Sequence, residues 1–389
     1  MSITLSGTVA RGYEPIALAF SDGFVERPTM GAALHVIRNG ETVVDLWAGV
    51  ADERTDRCWT ADTPSVIFSC TKGLMSILIA RLVQDGRLDY EAPVSQYWPE
   101  FAAAGKGAVT VGQALAHQAG LSAPRLDLRE DDIIDWNRMV AVLAAQQPLW
   151  QLGTGYAYHA LTHGWLTGEL VRRVTGQSPG QYFLTLITDP LQVDAWIGLP
   201  DAKADEVAHL QVSQPLHDLW ATEAGKPDPN WPYRAMTLGS ALPADLVTDT
   251  GGFNSQRIRA AEIPGAGGVA TAKALASIWS ATVVDAPSGR LIDDAVIAQA
   301  VKPRSMGVSV FGGEPPYSRW GCGFQLDSEA RRYLTEHSFG HDGAGGQVGF
   351  ADPEHKIGFG YVTNWMVGPE DRRTTQIIDA LRAVILAHA

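Results

Sequence analysis

The chain has 389 residues, 46% of them hydrophobic and 19% charged, which is the composition of a globular protein with a sizeable core. Its 30 basic and 43 acidic residues give a net charge of −13, which argues against a nucleic-acid partner and against an anionic membrane surface. No apolar run has the length of a membrane-spanning helix, and residues 1–20 lack the pattern of a secretory signal, so we expect a cytoplasmic protein.

The first predicted element is an antiparallel β-hairpin. In ALHVIRNGETVVDLWAG, apolar and polar residues alternate on both sides of Asn39-Gly40, and this dipeptide suits the two positive φ angles of a tight turn. From Ser65 to Gln84 the pattern becomes helical, with two adjacent apolar stripes. So wide an apolar face predicts a helix that is packed on most of its sides and ends at Gly86.

The middle of the chain predicts further helices and long irregular stretches. The segment TVGQALAHQAGL opens with a Thr110/Gln113 capping box, and HALTHGWLTGELVRRVTG has helical spacing and closes at Gly176. Residues 200–265 are rich in Pro, Asp, Gly and Trp and show little periodicity, so we expect ordered loops over a site there.

The C-terminal part of the chain returns to strand patterns. After a predicted helix, TAKALASIWSATVV, come the strand-like segments WGCGFQL, SFGHDG, GQVGFAD and KIGFGYVTN, and RRTTQIIDALRAVILAHA predicts a closing helix. Strands at both ends of the chain predict an α+β fold whose antiparallel sheet is built from the two termini. We expect residues 1–90 and 256–389 to form this sheet domain and residues 91–255 to form a mainly helical inserted domain.

Ser69 and Lys72 lie three residues apart at the start of the first predicted helix. This spacing puts both side chains on one face, and burial lowers the pKa of a lysine, so that a neutral amine can take the proton of the serine hydroxyl. The first turn of a helix also presents free amides to an oxyanion. The pattern S-x-x-K favours a nucleophilic serine; the alternative is a lysine that snorkels from a helix start.

Four segments in order make the chain resemble the serine hydrolases of the class C β-lactamase fold, which include penicillin-binding proteins and family VIII carboxylesterases. FSCTKG matches the family's S-x-x-K segment, and QALAHQAGL is similar to the helix that follows it. LGTGYAYHA resembles the second motif, Y-x-N, and FGHDGAGGQVGFADPEHKIGFGYVTN resembles the third-motif strand, with HDG at 341–343 where lactamases have K-T-G. The resemblance runs from Ala32 to Asn364 and implies a β-lactamase-like α+β fold.

The resemblance implies a role for each matching residue. Ser69 is the implied nucleophile, with Lys72 and Tyr158 as proton-transfer groups, and we expect a nearby ammonium to lower the pKa of Tyr158. The amides of Ser69 and Ala344 form the implied oxyanion hole. The implied substrate-binding residues are Gln118, His341 and Gly343.

Two departures from the lactamase pattern bear on the substrate. Ala160 stands where Y-x-N has its asparagine, and His341 replaces the lysine of K-T-G. Neutral imidazole is a poorer anion site than ammonium, so this position binds a substrate carboxylate less well. We therefore predict a serine carboxylesterase that hydrolyses small uncharged esters through an acyl-enzyme, with no cofactor. The alternatives are a β-lactamase or D-alanyl peptidase, an acyltransferase of the same fold, and an inactive binding protein. The sequence leaves the oligomeric state open.

Several histidines and cysteines are given no metal-binding role. His159 and His163 have H-x-x-x-H spacing without the glutamate of a zinc enzyme, and His337 and His341 lie in a strand-like segment where that spacing does not chelate. The cysteines lack CxxC spacing, so we expect neither a zinc cluster nor a disulfide framework. They are Cys58, Cys70 and Cys322.

Three further features bear on cofactor binding, on the nucleophile and on the acyl pocket. GAGGVA at 265–270 is expected to be a loop before a helix and to bind no cofactor. We expect no nucleophile elbow of the α/β-hydrolase kind. Trp231 and Trp365 are candidates for an apolar acyl pocket, with core packing as the alternative for each.

Overall fold

The computed structural model of the chain describes residues 3–285 and 289–387. Its strands, numbered in chain order, are β1 (Ser6–Val9), β2 (Gly31–Arg38), β3 (Glu41–Asp52), β4 (Arg57–Cys58), β5 (Ser65–Val66), β6 (Ala195–Ile197), β7 (Gln211–Val212), β8 (Gly268–Ala270), β9 (Arg319–Trp320), β10 (Gln325–Leu326), β11 (Phe339–Asp342), β12 (Val348–Asp352), β13 (Ile357–Thr363) and β14 (Trp365–Met366).

The α-helices are α1 (Glu14–Asp22), α2 (Cys70–Gln84), α3 (Val111–Leu115), α4 (Glu130–Ile134), α5 (Trp136–Ala145), α6 (Thr162–Thr175), α7 (Pro179–Phe183), α8 (Asp189–Leu191), α9 (Gln214–Ala224), α10 (Trp231–Thr237), α11 (Gln256–Ala260), α12 (Ala272–Val283), α13 (Asp294–Ala300) and α14 (Arg373–Ala387). Short 3-10 turns cover Val94–Gln96, Pro99–Gly105 and Asp201–Glu206, and a π turn covers Leu184–Thr188. In the described ranges, no helix is both long and apolar enough to span a bilayer.

The main sheet is antiparallel and is built from both ends of the chain. Its strand order is β1-β3-β2-β13-β12-β11-β10-β9, and β4 pairs with β3. The N-terminal strand β2 lies beside the C-terminal strand β13, with Ala32 opposite Thr363. The predicted α+β fold is therefore confirmed. The division into a discontinuous sheet domain and an inserted helical domain stays a prediction.

Helices cover both faces of this sheet. On one face, α1 and α14 bury Phe20 and Leu381 in a cluster with Phe359 of β13. On the other face, α12 packs against β13, β12 and β2. Gly358 permits this close approach, because a Cβ there would lie 2.3 Å from the backbone oxygen of Ala276.

The predicted elements with local signals are present. The β2–β3 hairpin turns at Asn39 and Gly40, whose φ angles are 52° and 83°. Helix α3 has the capping box of Thr110 and Gln113, and α6 ends at Gly176 in the left-handed conformation. The closing helix is α14; the last two residues of its predicted segment, 388 and 389, lie outside the described residues.

Two regions differ from the predictions. Residues 200–265 contain the helices α9, α10 and α11 besides loops; the prolines of α9 and α10 stand in the first helical turn, where they favour a helix, and their abundance hid these elements. GAGGVA is also more than a loop, because its second half is strand β8, which pairs with β5 and β6. Three-residue strands are too short for a periodic signal.

Candidate active site

A strained turn carries Ser69 to the start of α2. Strand β5 ends at Val66, and the chain enters the helix through Phe68, whose φ of 43° is unusual for a residue with a side chain. The ring of Phe68 is fully buried and packs edge-on against Phe253, with 5.2 Å between the ring centroids. This packing holds the strained residue in place and fixes the position of Ser69.

Lys72 lies next to Ser69 on the first turn of α2. The distance from Lys72 Nζ to Ser69 Oγ is 2.9 Å, and Nζ also donates to the backbone oxygen of Gly265 at 2.7 Å. The lysine side chain is fully buried. In the described part of the chain it has no carboxylate partner, and the neighbouring Cys70 stays a neutral thiol because burial raises its pKa well above the ordinary value.

The burial of Lys72 determines its charge. Loss of hydration lowers the pKa of Lys72 well below its ordinary value, because no negative group offsets the cost of burying an ammonium ion. A neutral amine beside a serine hydroxyl can accept its proton. The geometry therefore fits a serine nucleophile with a lysine base.

Tyr158 is the third member of this cluster. Its ring centroid lies 4.9 Å from Lys72 Nζ, and its hydroxyl group is hydrogen-bonded to Ser69. The direction of its pKa shift is opposite to our expectation. Burial raises the pKa of Tyr158, and the hydrogen bond with Ser69 offsets only part of that effect. Loss of hydration lowers the pKa of Lys72 and disfavours the expected ammonium, and the raised pKa of Tyr158 keeps its phenol protonated at neutral pH.

The loop after β11 lies directly against the Ser69 turn. The thiol of Cys70 donates to the backbone oxygen of His341 at 3.1 Å and ties α2 to this strand. A Cβ at Gly343 would lie 2.4 Å from the backbone oxygen of Ile67, so only glycine fits at this contact. The close contact brings the predicted third-motif residues to Ser69.

Two backbone amides are available to an oxyanion beside Ser69. Ser69 and Ala344 line the same cavity, and within the described residues neither of their amides donates a hydrogen bond. Arg373 holds the loop that carries Ala344, since its guanidinium donates to the backbone oxygen of Gly345 at 2.9 Å and pairs with Asp371 at 2.7 Å. The arrangement fits the predicted oxyanion hole with two donors.

The charged groups of the third motif offer no cation to a substrate. His341 Nδ1 donates to the backbone oxygen of Asp342 at 2.7 Å, and burial lowers the pKa of His341 to about 3. The histidine is therefore neutral at physiological pH. Asp342 is paired with Arg331, whose Nε lies 2.6 Å from a carboxylate oxygen, and it also accepts a hydrogen bond from the hydroxyl group of Tyr333 at 3.3 Å.

A cavity of about 520 Å³ opens over Ser69. Among its described lining residues, Asp342 is the only one with a charged side chain. The lining consists of Ser69, Ser122, Tyr156, Ala157, Tyr158, Ala160, Pro232, Ala235, Met236, Gly307, Ser309, Phe311, Gly312, Gly313, Pro316, Tyr317, Ser318, Trp320, Gln325, His341, Asp342, Gly343 and Ala344.

Three residues expected near the substrate are not among those lining residues. The side-chain amide of Gln118 donates to the backbone oxygen of Arg304 at 2.7 Å and to Ser305 Oγ at 2.9 Å. Trp231 packs in a small apolar cluster behind the wall, and Trp365 lines a separate surface pocket. The aromatic side chains of the wall are instead Tyr156 and Tyr158, together with Phe311, Tyr317 and Trp320 from residues 307–320.

Comparison with known proteins assigns the family. The Beta-lactamase family model matches residues 19–383. The chain belongs to the β-lactamase family. It is 34% identical over 372 residues to the esterase/beta-lactamase LipL of Mycobacterium tuberculosis, a match that covers 91% of this chain and 81% of that protein.

Two solved structures of this β-lactamase family fold cover 98% of the chain and the whole of their own length. One is a family VIII carboxylesterase, at 34% identity and a TM-score of 0.86. The other is a penicillin-binding protein homologue from Caulobacter crescentus, at 36% identity and a TM-score of 0.85. The predicted family and the predicted class, a serine hydrolase, are confirmed.

One serine of this β-lactamase family member stands in the pattern of a different hydrolase fold. GQSPG at 176–180 reads G-x-S-x-G, the sequence pattern of a nucleophile elbow. The pattern lies between α6 and α7, and not between a strand and a helix. Ser178 caps α7, and its hydroxyl group donates to Glu262 at 2.5 Å. Its surroundings are those of a structural cap, although Ser178 is a useful control for Ser69.

Sequence reasoning missed the parts of the site that come from distant segments. The backbone oxygen of Gly265 contacts Lys72, although GAGGVA was given no function. Tyr156, two residues before Tyr158, lines the cavity, and its hydroxyl group donates to Gly307 at 2.7 Å. The stretch SMGVSVFGGEPPYSRWG forms the part of the cavity wall that was not predicted. Its glycines, prolines and aromatic residues are the signal by which this loop could have been found.

Proposed function

We propose that this serine hydrolase is a carboxylesterase for small uncharged esters, with Ser69 as the nucleophile. The single observation that supports this most strongly is the fully buried Lys72, whose amine lies 2.9 Å from the Ser69 hydroxyl oxygen and has no carboxylate partner in the described residues. A lysine in this state is a base. In such a place it has no evident structural purpose, since burial of an amine disfavours folding.

The reaction begins when Lys72 takes the proton of Ser69 and the serine oxygen attacks the ester carbonyl. The amides of Ser69 and Ala344 donate to the resulting oxyanion. As the ester bond breaks, the phenol of Tyr158 donates its proton to the leaving alcohol and recovers one from the Lys72 ammonium. Water then attacks the acyl-enzyme. The same groups move a proton of the water in the reverse direction, back to the Ser69 oxygen, and the acid is released.

The cavity supports an uncharged substrate. Its aromatic and small residues suit an apolar acyl or alcohol group, and its volume of about 520 Å³ fits a small ester. Neutral His341 cannot neutralise a substrate carboxylate, and Asp342 adds a negative charge to the wall. A β-lactam or a D-alanyl peptide carries such a carboxylate, which disfavours these substrates.

The position of Ala160 also disfavours lactam binding. Ala160 lies at the cavity wall with Ala123 and Ala235 in one small apolar cluster, so this part of the wall offers no side-chain amide to a substrate. An ester needs no such partner beyond the oxyanion hole.

The test is hydrolysis of p-nitrophenyl butyrate and of a chromogenic cephalosporin by three proteins: wild type, Ser69→Ala and Ser178→Ala. We expect rapid ester hydrolysis and slow lactam hydrolysis by the wild type. Ser69→Ala should lower kcat for the ester by about 10⁴-fold or more, whereas Ser178→Ala should keep it, with a loss of about 1 kcal/mol of stability from the cap. Equal activity of Ser69→Ala and wild type would overturn the proposal.

A further inference from the structure

His117 lies behind Tyr158, on the side away from the cavity. It follows α3, is fully buried, and has a φ of 65°, a left-handed conformation that is uncommon for a residue with a side chain. Residues held in this conformation often belong to a functional site, because the surrounding structure must maintain the strain. In the reaction described above, His117 has no role.

Two hydrogen bonds that His117 accepts come from the residues on either side of Tyr158. The amide of Ala157 donates to the backbone oxygen of His117 at 3.2 Å, and the amide of His159 donates to His117 Nδ1 at 3.2 Å. These amides belong to the residues immediately before and after Tyr158. Residues 155–159 lie outside helices and strands, so no ladder of backbone bonds fixes them. The left-handed backbone turns both acceptors of His117 to this one short segment.

The imidazole also restrains the phenol ring. The ring centroids of His117 and Tyr158 lie 4.8 Å apart at 63°, and Trp320 stacks on Tyr158 at 5.2 Å and 23°. His117 and Trp320 contact each other as well, at 4.8 Å and 85°. Three rings thus pack together, and Tyr158 has little freedom to rotate away from Ser69.

The charge of His117 agrees with an acceptor role. Because Nδ1 accepts from the His159 amide, the proton of the neutral ring is on Nε2. Burial lowers the pKa of His117 well below its ordinary value. The ring therefore remains neutral, and Nδ1 remains an acceptor.

We propose that His117 is a positioning residue that holds the Tyr158 segment, so that the phenol stays at hydrogen-bonding distance from Ser69. This inference rests on the proposed function, in which Tyr158 passes a proton to the leaving alcohol. His117 touches no substrate. Its contribution is to keep one rotamer and one backbone position of the tyrosine.

The test compares His117→Ala with His117→Asn. Asparagine tolerates the left-handed conformation, and its amide oxygen takes the place of Nδ1 as acceptor. With p-nitrophenyl butyrate we expect His117→Ala to lower kcat about 100-fold with little change in KM, and His117→Asn to recover most of that loss. If His117→Ala does not fold, His117→Gln replaces it, since its longer side chain fills the volume but misplaces the acceptor.

A double variant separates positioning from general damage. In the Tyr158→Phe background, the further loss from His117→Ala should nearly vanish, because the group it positions has been removed. If the kcat losses of Tyr158→Phe and His117→Ala multiply in the double variant, the inference is overturned. A kcat of His117→Asn no higher than that of His117→Ala or His117→Gln would overturn it as well. If Tyr158→Phe itself keeps full kcat, the proposed role of Tyr158 fails instead, and the two failures are thus distinguished.

His163 provides the matched control. It is a second fully buried histidine, 5.0 Å from His117 between ring centroids, and its Nε2 donates to the backbone oxygen of Leu115 at 3.2 Å. It makes no hydrogen bond to residues 157–159 in the described chain. His163→Asn should lower thermal stability while leaving kcat within about three-fold of wild type.

Discussion

Lys72 Nζ lies between the hydroxyl oxygen of Ser69, at 2.9 Å, and the backbone oxygen of Gly265, at 2.7 Å, with no exposed surface. The lysine therefore has one partner that can give it a proton and one that fixes its orientation. Its pKa lies well below the ordinary value because of burial, so it is the base form that the folded protein favours.

The first prediction concerns the charge at position 72. Lys72→Arg keeps a cation that does not lose its proton at working pH, so the variant should lose about 10³-fold or more in kcat for p-nitrophenyl butyrate. Lys72→Met, which fills the space without charge, should be as slow but more stable to heat than Lys72→Arg. Substantial activity of Lys72→Arg would contradict a neutral base.

The same lysine predicts the acid limb of the pH profile. Only neutral Lys72 accepts the proton, so kcat/KM should rise with pH and reach its plateau well below the ordinary lysine value of 10.5. The free energy of unfolding should also rise with pH. The unfolded chain binds the lysine proton more tightly than the folded protein does, so protonation favours the unfolded chain as pH falls. A kcat/KM that still rises steeply above pH 10 would indicate a lysine with an ordinary pKa.

The second prediction concerns Tyr158. Because its pKa is raised by burial, we expect the phenol to act as a proton donor, and Tyr158→Phe should lower kcat by about 10²- to 10⁴-fold. The wild-type profile should show no ionisation of this tyrosine up to about pH 10, where an ordinary phenol titrates. Ultraviolet difference spectra of wild type against Tyr158→Phe between pH 8 and 11 measure this directly; an added phenolate signal at pH 9 would refute it.

The third prediction concerns the charge preference set by Asp342. Asp342→Asn leaves the Arg331 guanidinium without its partner at 2.6 Å and removes the one carboxylate of the described cavity wall. The ratio of kcat/KM for the mono-p-nitrophenyl ester of succinic acid to that for the butyrate ester should rise about ten-fold, as expected for one charge at about 10 Å and an effective dielectric constant of about 20.

The control for this ratio is Asp379→Asn. Asp379 is an exposed carboxylate on α14 that pairs with Arg382 at 2.6 Å and does not line the described cavity. The same change of net charge there should leave the ratio unchanged. A ratio that responds equally to both variants would assign the effect to net charge and not to Asp342.

The fourth prediction concerns the glycine behind the proposed oxyanion hole. In Gly343→Ala the new methyl group meets the backbone oxygen of Ile67, so the loop with Ala344 must move, and kcat should fall about 10²- to 10³-fold. Gly225→Ala is the control, because a Cβ there meets nothing closer than 3.5 Å. Parallel melting curves establish whether Gly343→Ala is still folded; a folded variant with full kcat would contradict the proposed hole.

Sequence reasoning succeeded where the signal is local. The Asn39-Gly40 turn, the capping box at Thr110 and the spacing of Ser69 and Lys72 each depend on residues within a few positions of one another. Resemblance to a known family added Tyr158 and the loop after β11 to the predicted site. The fold class followed from strand patterns at both ends of the chain.

The remaining features depend on contacts between distant segments. Gly265 is 193 residues away from Lys72 in the chain, and its role depends on backbone position and not on a side chain. The direction of the Tyr158 pKa shift depends on burial, which spacing does not reveal. Gln118 is oriented by Arg304 and Ser305, so its resemblance to a binding residue could not show where its amide points.

The most direct test of an acyl-enzyme on Ser69 is acid-quench peptide mapping. The protein is mixed with p-nitrophenyl butyrate, quenched in acid within milliseconds, digested and analysed by mass spectrometry, with Ser69→Ala and Ser178→Ala in parallel. We expect a butyryl group on the peptide that contains SCTK, at Ser69, in wild type and in Ser178→Ala, and no such adduct in Ser69→Ala. A butyryl group on GQSPG at Ser178, or the same adduct in Ser69→Ala, would contradict it.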